Sequence, residues 1–197
     1  MLIVIADTII RKNEADIINA LFDEGMPLFH LRKPAASANQ IMGLLIDIKP
    51  QYINQIALHA HHQLASYFCL HRLHYTEAKR HRTSCAEWRA LAECGYSLST
   101  SLHQQNDINL LPGSFKYAFF GPVFNSISKP GYNPHQTSNA IAVTHTKLIA
   151  IGGINTGNMQ DAIQMGFDGI AVLGAIWKSG DPVCNFKQIQ KVWNHLA

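Results

Sequence analysis

Several residues in this chain are of the types that hold anions. Arg32 and Lys33 stand side by side after a short apolar run, and Ser126, Ser128 and Lys129 lie within FFGPVFNSISKPG at 119–131. Gly152 and Gly153 follow another apolar run, and Gly174 interrupts a third. A guanidinium and ammonium groups that reach one place from separate loops bind a diphosphate through charge-assisted hydrogen bonds. Glycines after a strand, with a helix start beyond them, let backbone amides approach a phosphate. Taken singly, a basic loop residue is usually a solvated charge and a Gly-Gly pair usually a tight turn. The anion reading therefore requires a fold that gathers all of these positions at one mouth.

The apolar pattern supplies such a fold. Short runs rich in Val, Ile, Leu and Phe recur about every 20 to 25 residues, at 2–7, 28–32, 56–61, 72–76, 96–100, 117–124, 148–153 and 169–176. Stretches of helical periodicity separate them, near 13–25, 37–48, 62–68, 85–94, 103–110, 138–146, 157–166 and 183–195, with start signals at Ser37, Asn158 and Asp181-Pro182. Eight alternating units close naturally into a (β/α)8 TIM barrel, whereas an open doubly wound sheet uses fewer strands. The length of 197 residues is short for that barrel, so the loops must be tight and the helix after His62 very short. One barrel domain over 1–197 is expected. Its active site would lie at the carboxyl ends of the strands, which is where Arg32, Lys33, His59, Glu77, Ser99, His103, Lys129 and the glycines fall.

Composition narrows the function class. The apolar share of 47% suits a globular protein with one large core. No window resembles a membrane span, and the first residues place their charges after the apolar run, the reverse of a secretory leader. Four cysteines without C-x-x-C spacing suit a reducing cytoplasm. The net charge of +3 is scattered rather than gathered into a stripe, which argues against nucleic acid and for a small anionic ligand.

With these residues in place, the chain resembles the thiamine phosphate synthase and thiazole tautomerase superfamily over nearly its whole length. FGPVFNSISKPG is similar to that family's Gly-Pro-(Ile/Val)-(Phe/Tyr)-x-(Thr/Ser)-x-(Thr/Ser)-Lys loop. AIGGIN and GFDGIAVLGAIW resemble its phosphate-binding end, HLRK at 30–33 its diphosphate-holding segment, and SLSTSLH at 97–103 its strand-5 segment. The resemblance implies a cytoplasmic transferase of thiamine biosynthesis. It joins hydroxymethylpyrimidine diphosphate to a thiazole phosphate and releases pyrophosphate, with Mg2+ and cationic side chains stabilising the leaving group. It implies that Arg32, Lys33 and Lys129 are catalytic. It makes His30, His59, Ser99, His103, Ser126, Ser128, Gly152, Gly153 and Gly174 substrate-binding. Phosphorylated pyrimidine and thiazole substrates are the implied partners, with room for a homo-oligomer and none for a membrane or nucleic acid.

The chain also departs from that pattern. The family places Asn-Asp after strand 3 and a second Asp after strand 4; this chain has His59-Ala60 and ends the latter segment with Glu77-Ala78-Lys79. Glu77 is the one candidate oxygen ligand left for Mg2+. The family's Gln is His30, and its Lys two places after the Arg is Pro34, with Lys33 one place early. The tautomerase branch uses a histidine directly after the strand-6 glycine, where this chain has Pro122. Three other readings follow from these departures. One is a non-catalytic binder of thiamine precursors, and one is a tautomerase-like isomerase with a different base. The third is a metal hydrolase built on HAHH at 59–62 with His74, His59 and His61 lying on one side of a strand, within a stretch that holds six histidines between His59 and His81. If His59 contacts a diphosphate as imidazolium, binding should weaken above neutral pH.

Overall fold

The computed structural model describes residues 1–125, 145–178 and 180–196. Eight parallel strands pair in sequence order and close on themselves: β1 (Leu2–Ile5), β2 (Phe29–Leu31), β3 (Ile56–Leu58), β4 (Arg72–Tyr75), β5 (Ser97–Leu102), β6 (Phe115–Phe120), β7 (Lys147–Ile151) and β8 (Gly169–Val172). Closure comes from β1 against β8, in register Leu2 to Ile170 through Val4 to Val172. Each of the eight expected apolar runs contains or overlaps one strand. The (β/α)8 reading holds.

The helices are α1 (Glu14–Asp23), α2 (Ala38–Ile46), α3 (Leu64–Phe68), α4 (Glu77–Arg80), α5 (Cys85–Glu93), α6 (Met159–Gln164), α7 (Gly174–Trp177) and α8 (Pro182–Trp193). Capping explains where the longer ones start. Ser37 with Gln40, and Ser84 with Glu87, form reciprocal capping boxes, while Asp181 accepts from the amides of Val183 and Cys184 with Pro182 in the first turn. Asn158 also stands at a helix start, but its side chain accepts from the Asn155 amide rather than from the helix. The unit expected at 103–110 is a 3-10 helix, Gln105–Leu110, and a second one, Pro50–Gln55, precedes β3. The helix expected at 138–146 falls largely outside the described residues.

Strand alternation makes two separate interiors. Residues such as Val4, Phe29, Leu31, Leu58, Leu73, Ala118 and Phe120 face outward and pack under the helices, joined by Ile18, Leu21, Phe22 and Trp88. Each fully buried side chain of this size contributes about 1.5–3 kcal/mol. The alternate residues point into the barrel, where Ile3, Ile5, Leu28, Tyr117, Phe119, Ile149 and Ala171 form a cluster of their own. On the β2 to β5 side that inner cluster gives way to polar rings and hydroxyls, which form the candidate site.

Candidate active site

His30 on β2, His59 just past the end of β3 and His74 on β4 meet inside the barrel. The register pairs His30 with Ala57 and His74 with Ser99, and the His59 amide donates to the Leu31 carbonyl at 3.3 Å just past the end of β3. His30 Nδ1 lies 2.8 Å from His59 Nε2, and His30 Nε2 lies 2.7 Å from the Tyr117 hydroxyl. His74 is held at both nitrogens, by Ser99 Oγ at 2.9 Å and Ser101 Oγ at 3.0 Å. The His59 and His74 rings stack at 4.0 Å, with Phe119 beside His30 at 4.7 Å and beside His74 at 5.0 Å.

These rings are uncharged at neutral pH. Burial, reinforced by His62 and Arg32, brings the His74 imidazole down to about 3. Burial also holds His30 well below its ordinary value, with His74 and Arg72 adding to the effect. For His59 the causes are burial, then His74, His30, Arg32 and His62. The expected imidazolium at His59 is therefore corrected: a half-buried ring surrounded by other imidazoles and a guanidinium does not charge near neutrality. Burial likewise raises the Tyr117 phenol to about 12, so it remains a hydroxyl.

Arg32 and Lys33, adjacent in sequence, go to different places. Alternation from His30 carries Arg32 to the inner side, close enough to depress both His59 and His74, and its guanidinium has no hydrogen-bond or ion-pair partner among the described residues. Lys33 turns the other way and is 3% exposed. Its ammonium is paired with the buried Glu14 carboxylate and donates to the Ile9 carbonyl. The expectation of a free Lys33 ammonium for diphosphate is thus overturned, because removing it from Glu14 would strand a buried charge.

Ser99, expected at the substrate, is 1% exposed and occupied by His74 and the Leu73 carbonyl. It orients an imidazole instead. His103 is exposed; its Nδ1 lies 3.0 Å from the Gly121 carbonyl and its Nε2 3.9 Å from Glu77. Ser126, Ser128 and Lys129 lie outside the described residues.

The residues do not fit Mg2+. That ion needs near-octahedral oxygen ligation with carboxylates. The position after β3 offers the His59 ring, and Glu77 opens α4 among cationic or potentially cationic groups, with Arg80 at 3.8 Å, His81 at 3.9 Å and His103 at 3.9 Å. The hydrolase pairing of His59 with His61 also fails. β3 ends at Leu58, and His61 sits in the left-handed region at φ 55° with its Nε2 against the Ala36 carbonyl at 2.9 Å.

At the β6 and β7 ends, two loops are zipped together. The Val123 amide donates to the Ile151 carbonyl at 2.9 Å and the Phe124 amide to the Gly152 carbonyl at 3.1 Å. Gly152 has φ 96°, and a Cβ there would lie 2.6 Å from Pro122 Cβ; one on Gly121 would lie 2.1 Å from the Ile151 carbonyl oxygen. Glycine is needed at both positions for this contact, a reason distinct from phosphate approach. Gly153, also at positive φ, packs on the Phe124 and Asn125 carbonyls. Gly174 opens α7, and the Gly174 and Ala175 amides donate to no group among the described residues.

Ser101 and Tyr117 are residues of this candidate site that the sequence did not assign, while His74 entered only beside His59 to His62 in the metal-hydrolase reading. The signal was available in part: in RLHY and SLSTSL, alternate residues carry polar groups where the intervening ones are apolar or serve the barrel's own hydrogen bonds.

Known proteins share this chain's sequence pattern and fold. The sequence profile described as thiamine monophosphate synthase matches residues 1–176. The thiamine-phosphate synthase of Laribacter hongkongensis is 27% identical over 104 residues, which is 51% of this chain and 49% of that protein. The chain thus spans about half the length of the curated relatives it matches. Among solved structures, the thiamine phosphate pyrophosphorylase of Bacteroides thetaiotaomicron superposes with a TM-score of 0.75 at 25% identity, covering 98% of this chain and 97% of that one. The thiamine phosphate pyrophosphorylase of Pyrococcus furiosus gives 0.77 at 16% identity, covering 99% of this chain and 96% of that one, a likeness of fold.

Proposed function

Because the chain belongs to the thiamine monophosphate synthase family, we propose that it joins hydroxymethylpyrimidine diphosphate to a thiazole phosphate and releases pyrophosphate. The observation that carries the reading is the joined β6 and β7 ends. Val123 and Phe124, at the described start of the synthase-form motif, are hydrogen-bonded to Ile151 and Gly152, which supports a shared mouth for the expected diphosphate and phosphate ends.

In this reading the bond between the pyrimidine methylene carbon and the diphosphate oxygen breaks, and its electron pair leaves with pyrophosphate. The thiazole nitrogen then forms the new C–N bond to the cationic carbon. Developing negative charge falls on the leaving group, so fixed cations at its site lower the barrier. Arg32 is the described cation suited to this, standing unpaired beside the imidazoles; Lys129, Ser126 and Ser128 are proposed to join it from the strand-6 loop. The half-buried His59 presents a neutral ring to the pocket, and His30, buried with both nitrogens partnered, holds that ring in place rather than touching substrate. The Gly174 and Ala175 amides take the thiazole phosphate, beside Gly152 and Gly153. His103 acts as a positioning residue through the Gly121 carbonyl. The family is generally Mg2+-dependent, and no step here is assigned to that ion because Glu77 and the imidazoles do not suit it. A cytoplasmic setting accords with this reading, and among the described residues no helix is long and apolar enough to cross a membrane.

Incubating the pure protein with both substrates, and measuring pyrophosphate release and thiamine phosphate by chromatography, tests the proposal. Product that disappears in Arg32→Ala supports it. The missing carboxylates favour one second reading, a binder that retains thiazole phosphate without turnover; tight binding of both substrates with no product under any metal condition would establish that reading instead.

A further inference from the structure

The inner histidines have a ligand chemistry that the proposed coupling does not use. One nitrogen from each of His30, His59 and His74 can be chosen so that all three lie within 4.8 Å of one another. A tetrahedral zinc ion with Zn–N bonds of about 2.0–2.1 Å holds its ligand nitrogens roughly 3.3–3.5 Å apart. The His30 to His59 contact of 2.8 Å must therefore open slightly and the wider separations close, which small side-chain rotations accomplish. We propose that His30, His59 and His74 form a three-imidazole site for a divalent transition metal of the zinc class, inside the mouth of the barrel.

Three features of the surroundings support a metal over a merely packed set of rings. Neutral imidazole is a borderline ligand that suits zinc, cobalt and nickel, while the same position offers nothing to magnesium or calcium. Two of the non-ligating nitrogens already have partners of the kind that orient metal-bound histidines, His30 Nε2 with the Tyr117 hydroxyl at 2.7 Å and His74 Nδ1 with Ser99 Oγ at 2.9 Å, while His74 Nε2 exchanges its 3.0 Å contact with Ser101 Oγ for the ion. His30 Nδ1 and His59 Nε2 share one proton between two neutral rings, so a single tautomer shift frees both lone pairs without any net loss of protons. His30 and His74 are fully buried, whereas His59 is half-buried beyond the end of β3 and gives the ion its route from the mouth.

Three protein nitrogens leave a fourth position open, the arrangement of catalytic rather than structural zinc. Arg32 lies on the same inner side, so the ligand in that position is a water or an anion that the guanidinium also attracts. The site does not rest on the synthase reading, and it stands or falls separately from product formation.

The test uses the full chain, stripped with a chelator and dialysed, then titrated with Zn2+ in competition with a chromophoric chelator and with Co2+ by visible absorption. One ion per chain, with the intense absorption of tetrahedral cobalt, is expected. His59→Ala and His74→Ala should each weaken binding by about 100-fold or more, and Tyr117→Phe by roughly 10-fold. His71→Ala, an exposed histidine outside the cluster, should leave binding unchanged. If His74→Ala does not fold, His59→Gln, at a half-buried position past a strand end, decides alone. Zinc binding equal in the parent and in His59→Gln, or lost equally in His71→Ala, overturns the site, as does displacement of Co2+ by equimolar Mg2+.

Discussion

The inside of the barrel has two unlike arcs. From β6 through β8 to β1 it is lined by Phe119, Ile149, Ala171, Ile3 and Ile5, side chains with no polar atom to satisfy. From β2 to β5 it is lined by His30, His59, His74, Ser99 and Ser101, where both nitrogens of His30 and of His74 have partners. The first arc stabilises through packing alone. The second removes polar groups from water and recovers about the same energy in hydrogen bonds, so its net contribution to folding is small. A fold does not need such an arc, and its neighbours could have been apolar throughout. A costly polar set in place of an apolar one is what makes this arc the candidate for the working half.

Acid should separate the arcs most strongly. In the metal-free protein His30, His59, His62 and His74 are all held below their ordinary values, His62 at about 4 and His74 at about 3. The unfolded chain binds protons at these residues below about pH 6.5, while the folded chain does not until far lower, so stability falls as pH drops through that window and is flat above it. His74 alone removes about 1–2 kcal/mol between pH 6.5 and 5, and the others add in the same direction. Urea midpoints at pH 7.5, 6.5, 5.5 and 4.5 check this; a flat profile would mean that the rings are not buried as neutral imidazoles. The apolar arc contributes no such dependence.

Cutting into the apolar arc is next in size. Phe119 is 2% exposed and touches His30, His74 and Tyr117 as well as its apolar neighbours. Phe119→Ala should cost about 3–5 kcal/mol of unfolding free energy at pH 7.5, from lost burial and a cavity the barrel cannot collapse. A loss below 1 kcal/mol would show that the ring is not the floor under the imidazoles.

The sequence reveals these arcs unequally. Strands were legible because parallel barrel strands read as short apolar runs, and the helices with capping residues were legible for the same local reason. α4 and α7 are four residues each and the segment Pro50–Gln55 is a 3-10 helix, too short for any apolar period to register. Arg32 and Lys33 illustrate a finer limit. Both appeared as cations after a strand, yet the alternation already visible in FHL continues through them, turning one inward and the other to Glu14. The histidine cluster required barrel register. His30 and His59 are 29 residues apart in the chain and 2.8 Å apart in space, and only closure in strand order brings them together. The resemblance marked His59 as standing where the family has Asn-Asp, but the contact of His59 with His30 follows only from the closed barrel.

Arg32 carries the functional contrast between the arcs. Arg32→Ala should weaken binding of hydroxymethylpyrimidine diphosphate by about 1.5–3 kcal/mol, the worth of a hydrogen bond to a charged group, and leave binding of the uncharged pyrimidine alcohol nearly unchanged. Calorimetric titration with both ligands reads the difference. Equal losses for the two would remove the guanidinium from the diphosphate and place it with the supporting structure, like Lys33.

Tyr117 stands where the arcs meet, its ring in the apolar cluster and its hydroxyl on His30 Nε2. Tyr117→Phe keeps the ring and deletes the oxygen, leaving one buried imidazole nitrogen without that partner. The expected cost is about 1–2 kcal/mol at pH 7.5, at the lower end of the range for a stranded buried polar group because His30 retains its contact with His59. Tyr117→Leu, which also removes much of the ring packing, should cost more. If Tyr117→Phe costs nothing while Tyr117→Leu destabilises, the hydroxyl contributes nothing and Tyr117 belongs wholly to the apolar arc. If Tyr117→Phe costs its expected share, the boundary between packing and chemistry runs through this one side chain, between its ring and its oxygen.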